Sequence, residues 1–250
     1  MAKRSDIINW CNQQLTVEQF KDYAPNGLQV EGGEEVNRIV CAVTASLAAI
    51  RYAADVKAQM LLVHHGLFWK SEPAGIVGWK KQRVRALLQH DLNLAGYHLP
   101  LDTHPQWGNN AQLAKHMGWY MDAQIGEQNL LSLGSLPQAV CLADLTAQLD
   151  QTLQRKPLLL ANDPRKTVHR LAWCSGGGQG FFQAAIDAGA EVFITGEVSE
   201  AQYHLALEND VAFIAAGHHA TERFGVQALA AAISEEFQVP VSFFDEKNPV

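Results

Sequence analysis

The stretch Leu61-Leu62-Val63-His64-His65-Gly66 brings a pair of histidines to the end of an apolar run that begins at Met60. A short apolar run that stops at a turn residue is typical of a buried strand. Side chains alternate across a strand, so two consecutive histidines point to one place only where the strand ends. Open α/β sheets bind ligands at the carboxyl ends of their strands. The stretch therefore predicts an α/β fold with a ligand-binding histidine pair at the sheet edge.

Strand and helix patterns alternate on both sides of this stretch, which favours parallel sheets. Apolar runs predict strands at 38–43, 92–98, 190–195 and 211–216, and alanine-rich segments predict helices at 46–57, 181–188 and 221–236. The predicted fold class is α/β, with two similar, intertwined lobes whose largely parallel sheets surround a central metal site. We place the first lobe at 1–125 and the second at 126–250, with the last helix and strand packing back on the first.

Two parts of the chain repeat one order of elements. Residues 38–102 and 170–222 each contain an apolar strand, a helix, a strand ending in a polar turn and a Gly-x-His step. In both parts a carboxylate follows a histidine by four residues, His98 to Asp102 and His218 to Glu222. The repeat suggests an ancient duplication, and chance similarity between two generic βαβ units is the alternative.

Composition and charge limit the class of protein. The 250 residues are 48% hydrophobic and 18% charged, which is enough for a sizeable core. A formal net charge of −7 argues against a nucleic-acid partner. No apolar run has the length of a transmembrane helix, and the first residues lack the pattern of a signal peptide. Four scattered cysteines without CxxC spacing fit reduced thiols. We therefore expect a cytoplasmic protein with no membrane partner.

The candidate metal ligands come from three strand ends. His218 and Glu222 are four residues apart at a helix start, so both can reach one ion. The proposed set adds residues from the other strand ends and comprises His64, His65, Asp102, His218 and Glu222. These five ligands are more than one four-coordinate ion takes. Two divalent ions bridged by a carboxylate fit the ligand number better. Imidazole and carboxylate ligands suit zinc, manganese or iron.

Two histidines and one glycine-rich loop leave alternatives open. His98 matches a ligand position in the repeat, and we assign it a catalytic role in proton transfer, with orientation of a ligand as the alternative. The role of His219 stays open. The Gly176–Gly180 loop opens a helix and could hold an anion, but it lacks the lysine and hydroxyl of a P-loop. A tight strand-to-helix turn is the other interpretation of this loop.

Several motifs occur together in the order of a known family. They are Asn26-Gly27-Leu28-Gln29-Val30, Leu62-Val63-His64-His65-Gly66, the Asp102 segment, Thr195-Gly196-Glu197 and Gly217-His218-His219-Ala220-Thr221-Glu222. With them the chain resembles the GTP cyclohydrolase I type 2 homologue family, the YbgI-like dinuclear metal-binding proteins, nearly end to end. The resemblance implies a two-lobed α/β fold, a dinuclear site with the five ligands above, and a toroidal homohexamer.

A metal-dependent hydrolase is the predicted function. Two ions would activate a water for attack on a small-molecule substrate, such as a nucleotide or a related cyclic amide or phosphoester. The family name implies a GTP cyclohydrolase-like activity. The alternative is a non-catalytic metal-binding or regulatory ring protein. A ring that clamps DNA is a third hypothesis, which the acidic balance of the chain disfavours.

Overall fold

The computed structural model describes residues 1–250 as strands and helices in alternation. The strands are β1 (Ala2–Lys3), β2 (Gly27–Val30), β3 (Glu35–Val36), β4 (Ile39–Thr44), β5 (Met60–His65), β6 (Asn93–Gly96), β7 (Tyr120–Ile125), β8 (Leu131–Cys141), β9 (Leu158–Leu160), β10 (Thr167–Cys174), β11 (Val192–Thr195), β12 (Ala212–Ala215) and β13 (Val241–Phe243). The α-helices are α1 (Arg4–Gln14), α2 (Leu47–Asp55), α3 (Gly78–Gln89), α4 (Leu99–Thr103), α5 (Asn109–Met117), α6 (Leu142–Leu153), α7 (Phe182–Asp187), α8 (Glu200–Asn209), α9 (His218–Thr221) and α10 (Arg223–Phe237). None of these helices combines the length and the apolar character that a membrane span requires.

The residues group into two compact units. Unit 1 contains Met1–Trp107 and Gly225–Lys247, and unit 2 contains Gly108–Phe224 and Asn248–Val250. The division falls within α10, so nearly all of that helix belongs to unit 1. The lobe boundary between residues 125 and 126 stays a prediction.

The large sheet of unit 1 brings the ends of β5 and β6 to one edge. Its strand order is β13-β4-β5-β6-β2, in which the first four strands are parallel and β2 is antiparallel to β6. Val63 lies opposite Gly96, and Thr44 lies opposite His65. The ends of β5 and β6 therefore reach the same edge of the sheet side by side, as parallel strands require.

Alternating residues of the same strands build two hydrophobic layers in unit 1. Cys41 and Leu62 face the layer that contains residues of α1 and α10, and Val40 and Leu61 face the layer that contains residues of α2 and α3. This two-residue alternation is the normal consequence of strand geometry. Because both sheet faces are covered, β4 and β5 consist of near-continuous apolar residues, as the sequence pattern indicated.

The large sheet of unit 2 has a parallel centre with antiparallel strands on both sides. Its order is β7-β8-β10-β11-β12-β9, and the pairs β10–β11 and β11–β12 are parallel. Residues of α5 and α6 pack on one face, and residues of α7 and α8 pack on the other. The predicted α/β class with mostly parallel strands is therefore confirmed, and the antiparallel pairs lie outside the parallel centre of each sheet.

None of the four cysteines forms a disulfide. Burial raises the pKa of the Cys41 thiol to about 12, and burial likewise raises that of Cys11 to about 12 against a smaller lowering by a hydrogen bond with Tyr97. A thiol with such a pKa is protonated at neutral pH and behaves as a small apolar side chain.

Candidate metal centre

A candidate ligand group of unit 1 lies at the end of β5. The His64 and His65 rings lie 4.6 Å apart between centroids. The Nδ1–H of His64 donates to the Tyr97 carbonyl at 2.9 Å, and its Nε2 lies 3.5 Å from Oδ1 of Asp102. Because a carbonyl only accepts, this bond fixes the tautomer of His64 and makes Nε2 the nitrogen that could bind a metal ion. Nδ1 of His65 similarly lies 3.3 Å from the Thr44 hydroxyl oxygen.

His98 is held by a loop that precedes β2. Its Nδ1 lies 2.9 Å from Oδ1 of Asp22, and its backbone N–H donates to Oδ1 of Asn26 at 2.7 Å. Burial opposes ionisation of Asp22, but hydrogen bonds from His98, Asn26 and the Ala24 amide outweigh it and hold the pKa of this carboxyl well below its usual range. Asp22 is therefore a carboxylate that orients His98.

Three imidazoles of unit 1 converge on one place. Candidate ligand atoms of His64, His65 and His98 all lie within 4.8 Å of one another. His64 and His98 are buried, and His65 is half-buried. Asp102 reaches this group from α4 because its backbone N–H bonds to the His98 carbonyl and begins a helical turn there. Imidazole nitrogens at this spacing suit a borderline divalent ion.

Unit 2 has a candidate ligand group of its own where α9 begins. His218 Nε2 lies 3.2 Å from Oε2 of Glu222, and His218 Nδ1 lies 2.7 Å from Oε1 of Glu197. Burial opposes protonation of His218, but the hydrogen bonds and charges of Glu222 and Glu197 prevail and raise its pKa to about 9. Glu197, the last residue of the Thr195-Gly196-Glu197 motif, thus holds the ring of His218.

The glycine-rich loop after β10 leaves room for this group. A Cβ atom on Gly176 would lie 2.1 Å from Oε1 of Glu222 and 3.2 Å from Nε2 of His218. The Gly176 N–H donates to the Thr221 hydroxyl, and the Gly178 N–H donates to the Thr195 hydroxyl. Since these amides are engaged within the protein, the contacts favour the tight-turn interpretation of the loop over an anion site.

A sequence model of the family described as Duf34/NIF3 (NGG1p interacting factor 3) matches residues 2–249. The chain belongs to the DUF34/NIF3 family. A protein of Neisseria meningitidis serogroup A, named GTP cyclohydrolase 1 type 2 homolog, is 58% identical over 249 residues. The alignment covers 100% of both chains. The resemblance that the motifs indicated is therefore confirmed.

Solved structures agree with this assignment. The structure of the protein ybgI, described as of unknown function, superposes with a TM-score of 0.96 at 45% identity and covers 99% of this chain and 100% of its own. TTHA1606 from Thermus thermophilus gives a TM-score of 0.90 at 34% identity, with 99% and 100% coverage. The α/β fold of this DUF34/NIF3 chain is thus shared along its whole length.

The donor set of this DUF34/NIF3 protein fits divalent metal ions. In the three histidines of the unit 1 group and, separately, in His218 of unit 2, Nδ1 lies next to an oxygen atom, which belongs to the Tyr97 carbonyl, Thr44, Asp22 or Glu197. Such oxygen partners are what metal-ligating histidines normally have, because they fix the ring and make the other nitrogen more basic. Glycine at position 176 leaves space beside the Glu222 carboxylate, which the Cβ of any other residue would occupy.

Sequence patterns missed some of the residues that shape these groups. Asp22 lies 76 residues before His98 in the chain and carries no recognisable motif, so only the fold reveals the pair. Thr44 is found only through its register opposite His65. His219, whose role was left open, is buried, and its backbone N–H donates to the Val250 carbonyl at 3.0 Å.

Proposed function

We propose that this chain is a metal-dependent hydrolase that binds two divalent ions and acts on a nucleotide or a related cyclic amide or phosphoester. The observation that carries the proposal is the fixed orientation of the histidines, each with Nδ1 next to an oxygen atom. The proposed ligands are His64, His65, Asp102, His218 and Glu222.

The ligand chemistry supports zinc, manganese or iron, because imidazole and carboxylate donors together suit these ions. When bound, such ions lower the pKa of water and polarise the bond that is attacked. The Asp102 and Glu222 residues are 6% and 3% exposed, so each carboxylate needs a cationic partner in its buried position. His64 stands against the first carboxylate and His218 against the second.

His98 is the proposed catalytic acid and base. Its Nδ1 bonds to Asp22, so Nε2 is the atom that takes a proton from the nucleophile and returns it to the leaving group. The Asp22 carboxylate stabilises the imidazolium form between the two transfers, as an orienting carboxylate does in hydrolytic triads. If His98 instead served as a third imidazole ligand, the same contact with Asp22 would orient it toward the ion.

Names of relatives support a nucleotide substrate, since the Neisseria protein is called a GTP cyclohydrolase 1 type 2 homolog. We also propose a toroidal homohexamer, which the resemblance to the same family supports. Light scattering of the purified protein should then give about six times the 27.5 kDa of one chain. The mass of a monomer or a dimer would contradict this assembly.

Metal analysis of purified variants tests the proposed ligands. Wild type should retain two equivalents of a divalent metal, and His64→Ala and Glu222→Ala should each lose at least one equivalent. His204→Ala is the matched control, because His204 is exposed and contacts Glu200 on α8. Retention of all metal by both ligand variants would contradict the assigned ligands.

Turnover is tested on the metal-loaded protein with a panel of nucleotides and phosphoesters. Hydrolysis that is lost in His98→Ala, with metal content unchanged, would support the catalytic role of His98. Metal binding without turnover of any substrate in the panel would contradict the hydrolase and favour the non-catalytic metal-binding alternative.

A further inference from the structure

Two aromatic rings stand beside the histidines of unit 1, the exposed Tyr23 and the half-buried Trp69, and we name this pair the aromatic wall. Their centroids are 6.1 Å apart with planes inclined by 33°. The Tyr23 ring lies 5.0 Å from the His98 ring, and the Trp69 ring lies 5.1 Å from it. Trp69 is also 5.8 Å from His65. The wall therefore borders the residue to which we assign proton transfer.

The aromatic wall lies outside the hydrophobic cores. Neither ring belongs to the hydrophobic layers on the faces of the two large sheets, and Tyr23 is 54% exposed. Aromatic rings next to convergent polar groups are common features of ligand sites. Burial in the fold thus does not explain why two large rings are placed here.

Backbone contacts fix the position of the wall. The Lys70 N–H donates to the Tyr23 carbonyl at 2.9 Å, and the Lys70 ammonium bonds to the Asp22 carbonyl. Tyr23 directly follows Asp22, whose carboxylate holds His98. The two loops are therefore tied to each other and to His98, so the rings are ordered before any ligand arrives, which lowers the entropy cost of binding.

We propose that Tyr23 and Trp69 bind a planar heteroaromatic ring of the substrate, a purine or a similar fused nitrogen heterocycle, beside His98. Aromatic side chains stack on nucleobases through their π faces, whereas a sugar phosphate offers no such face. The inference rests on the proposed function and narrows it. Ligands that carry a base are selected over phosphoesters that lack one.

Binding measurements on the full-length protein test this inference without turnover. Guanosine 5′-monophosphate and adenosine 5′-monophosphate are titrated calorimetrically against ribose 5-phosphate, which lacks the ring. Wild type should bind at least one nucleotide about tenfold or more tightly than ribose 5-phosphate. Trp69→Ala should weaken nucleotide binding by about 5- to 150-fold, the range typical of one lost base stack, and leave ribose 5-phosphate unchanged. Trp69→Phe should recover most of the affinity.

Trp79→Ala is the matched control, because Trp79 is also half-exposed but stacks with Arg83 on α3. The fluorescence difference between wild type and Trp69→Phe isolates Trp69, and nucleotides should quench it while ribose 5-phosphate should not. Thermal melting identifies any variant that fails to fold, and Tyr23→Ala then provides the second test.

Equal affinity of wild type for nucleotides and ribose 5-phosphate would overturn the inference. So would Trp69→Ala and Tyr23→Ala variants that fold and bind nucleotides as wild type does. These outcomes are separate from failure of the proposed function, which is judged by metal content and turnover. A protein that binds nucleotides through Trp69 but hydrolyses none would retain this inference and lose the hydrolase.

Discussion

Alanine at Gly176 should damage metal binding much more than it damages folding. Its Cβ would lie 2.1 Å from Oε1 of Glu222, about 1.3 Å short of the 3.4 Å at which ordinary contact begins. The carboxylate must move by roughly that amount. Displacement of one ligand should lower zinc affinity by at least the roughly 10- to 100-fold typical of a lost supporting contact.

The cost to folding follows from the backbone of Gly176, whose φ is +66°. An L-residue in this left-handed region costs roughly 1–2 kcal/mol. For a chain of this length each kcal/mol lowers the melting temperature by about 2–4 °C, so we expect a drop of roughly 2–8 °C.

Zinc affinity is measured by competition with a chromogenic chelator, and stability by thermal melting of the metal-free protein. Gly180→Ala is the matched control in the same loop, because a Cβ there meets nothing within 4 Å. If Gly176→Ala melts at a lower temperature but binds zinc within twofold of wild type, Glu222 is not a ligand and the reasoning is refuted.

Three further predictions concern unit 2 and the core of unit 1. Glu197→Gln should weaken zinc binding about 10- to 100-fold because His218 loses its charged partner. Glu200→Gln is the control, because Glu200 is exposed. Equal zinc affinities of the two variants would contradict the role of Glu197. Since the pKa of His218 is about 9, zinc must displace its proton at neutral pH, so zinc affinity should rise up to tenfold per pH unit between pH 7 and about 9. Calorimetry in buffers of different ionisation heat should detect the released proton. A zinc affinity that does not change with pH would refute the assignment of His218 as a ligand. Leu229→Ala should lower the free energy of unfolding in urea by about 2–5 kcal/mol because Leu229 is fully buried. Leu88→Ala is the control and should lower it little, because Leu88 is 61% exposed. Equal losses would contradict the packing of α10.

The sequence predicted those features that depend on local patterns. The apolar run before His64 and His65 specifies β5, because a strand covered on both faces needs apolar residues throughout. The four-residue spacing of His98 and Asp102 has a local cause as well, since the His98 carbonyl accepts from the Asp102 N–H at the start of α4. Both features are set by neighbouring residues and need no knowledge of the rest of the fold.

Features that join distant segments could not be predicted in this way. The contact of Asp22 with His98 and the space that Gly176 leaves for Glu222 arise only when loops from separate strands meet. Similarly, the apolar stripe of α10 predicts a buried helix face but does not indicate that Leu229 packs in unit 1. The ligand roles of the five proposed residues stay predictions until metal is measured.

The position of α10 and β13 has a consequence for synthesis on the ribosome. Val241 of β13 pairs with Ile39 of β4, and Val226 and Ile233 of α10 fill the core beside β4 and β5. The sheet that is translated first therefore cannot be completed until the final segment emerges, on the order of ten seconds after Trp107 at ordinary elongation rates. Gly108–Phe224, nearly all of unit 2, is synthesised before that final segment and can begin to fold earlier. Unit 1, although its first residues are translated before unit 2, should finish folding last. We expect the need for a chaperone to be greatest while its apolar strands are still uncovered.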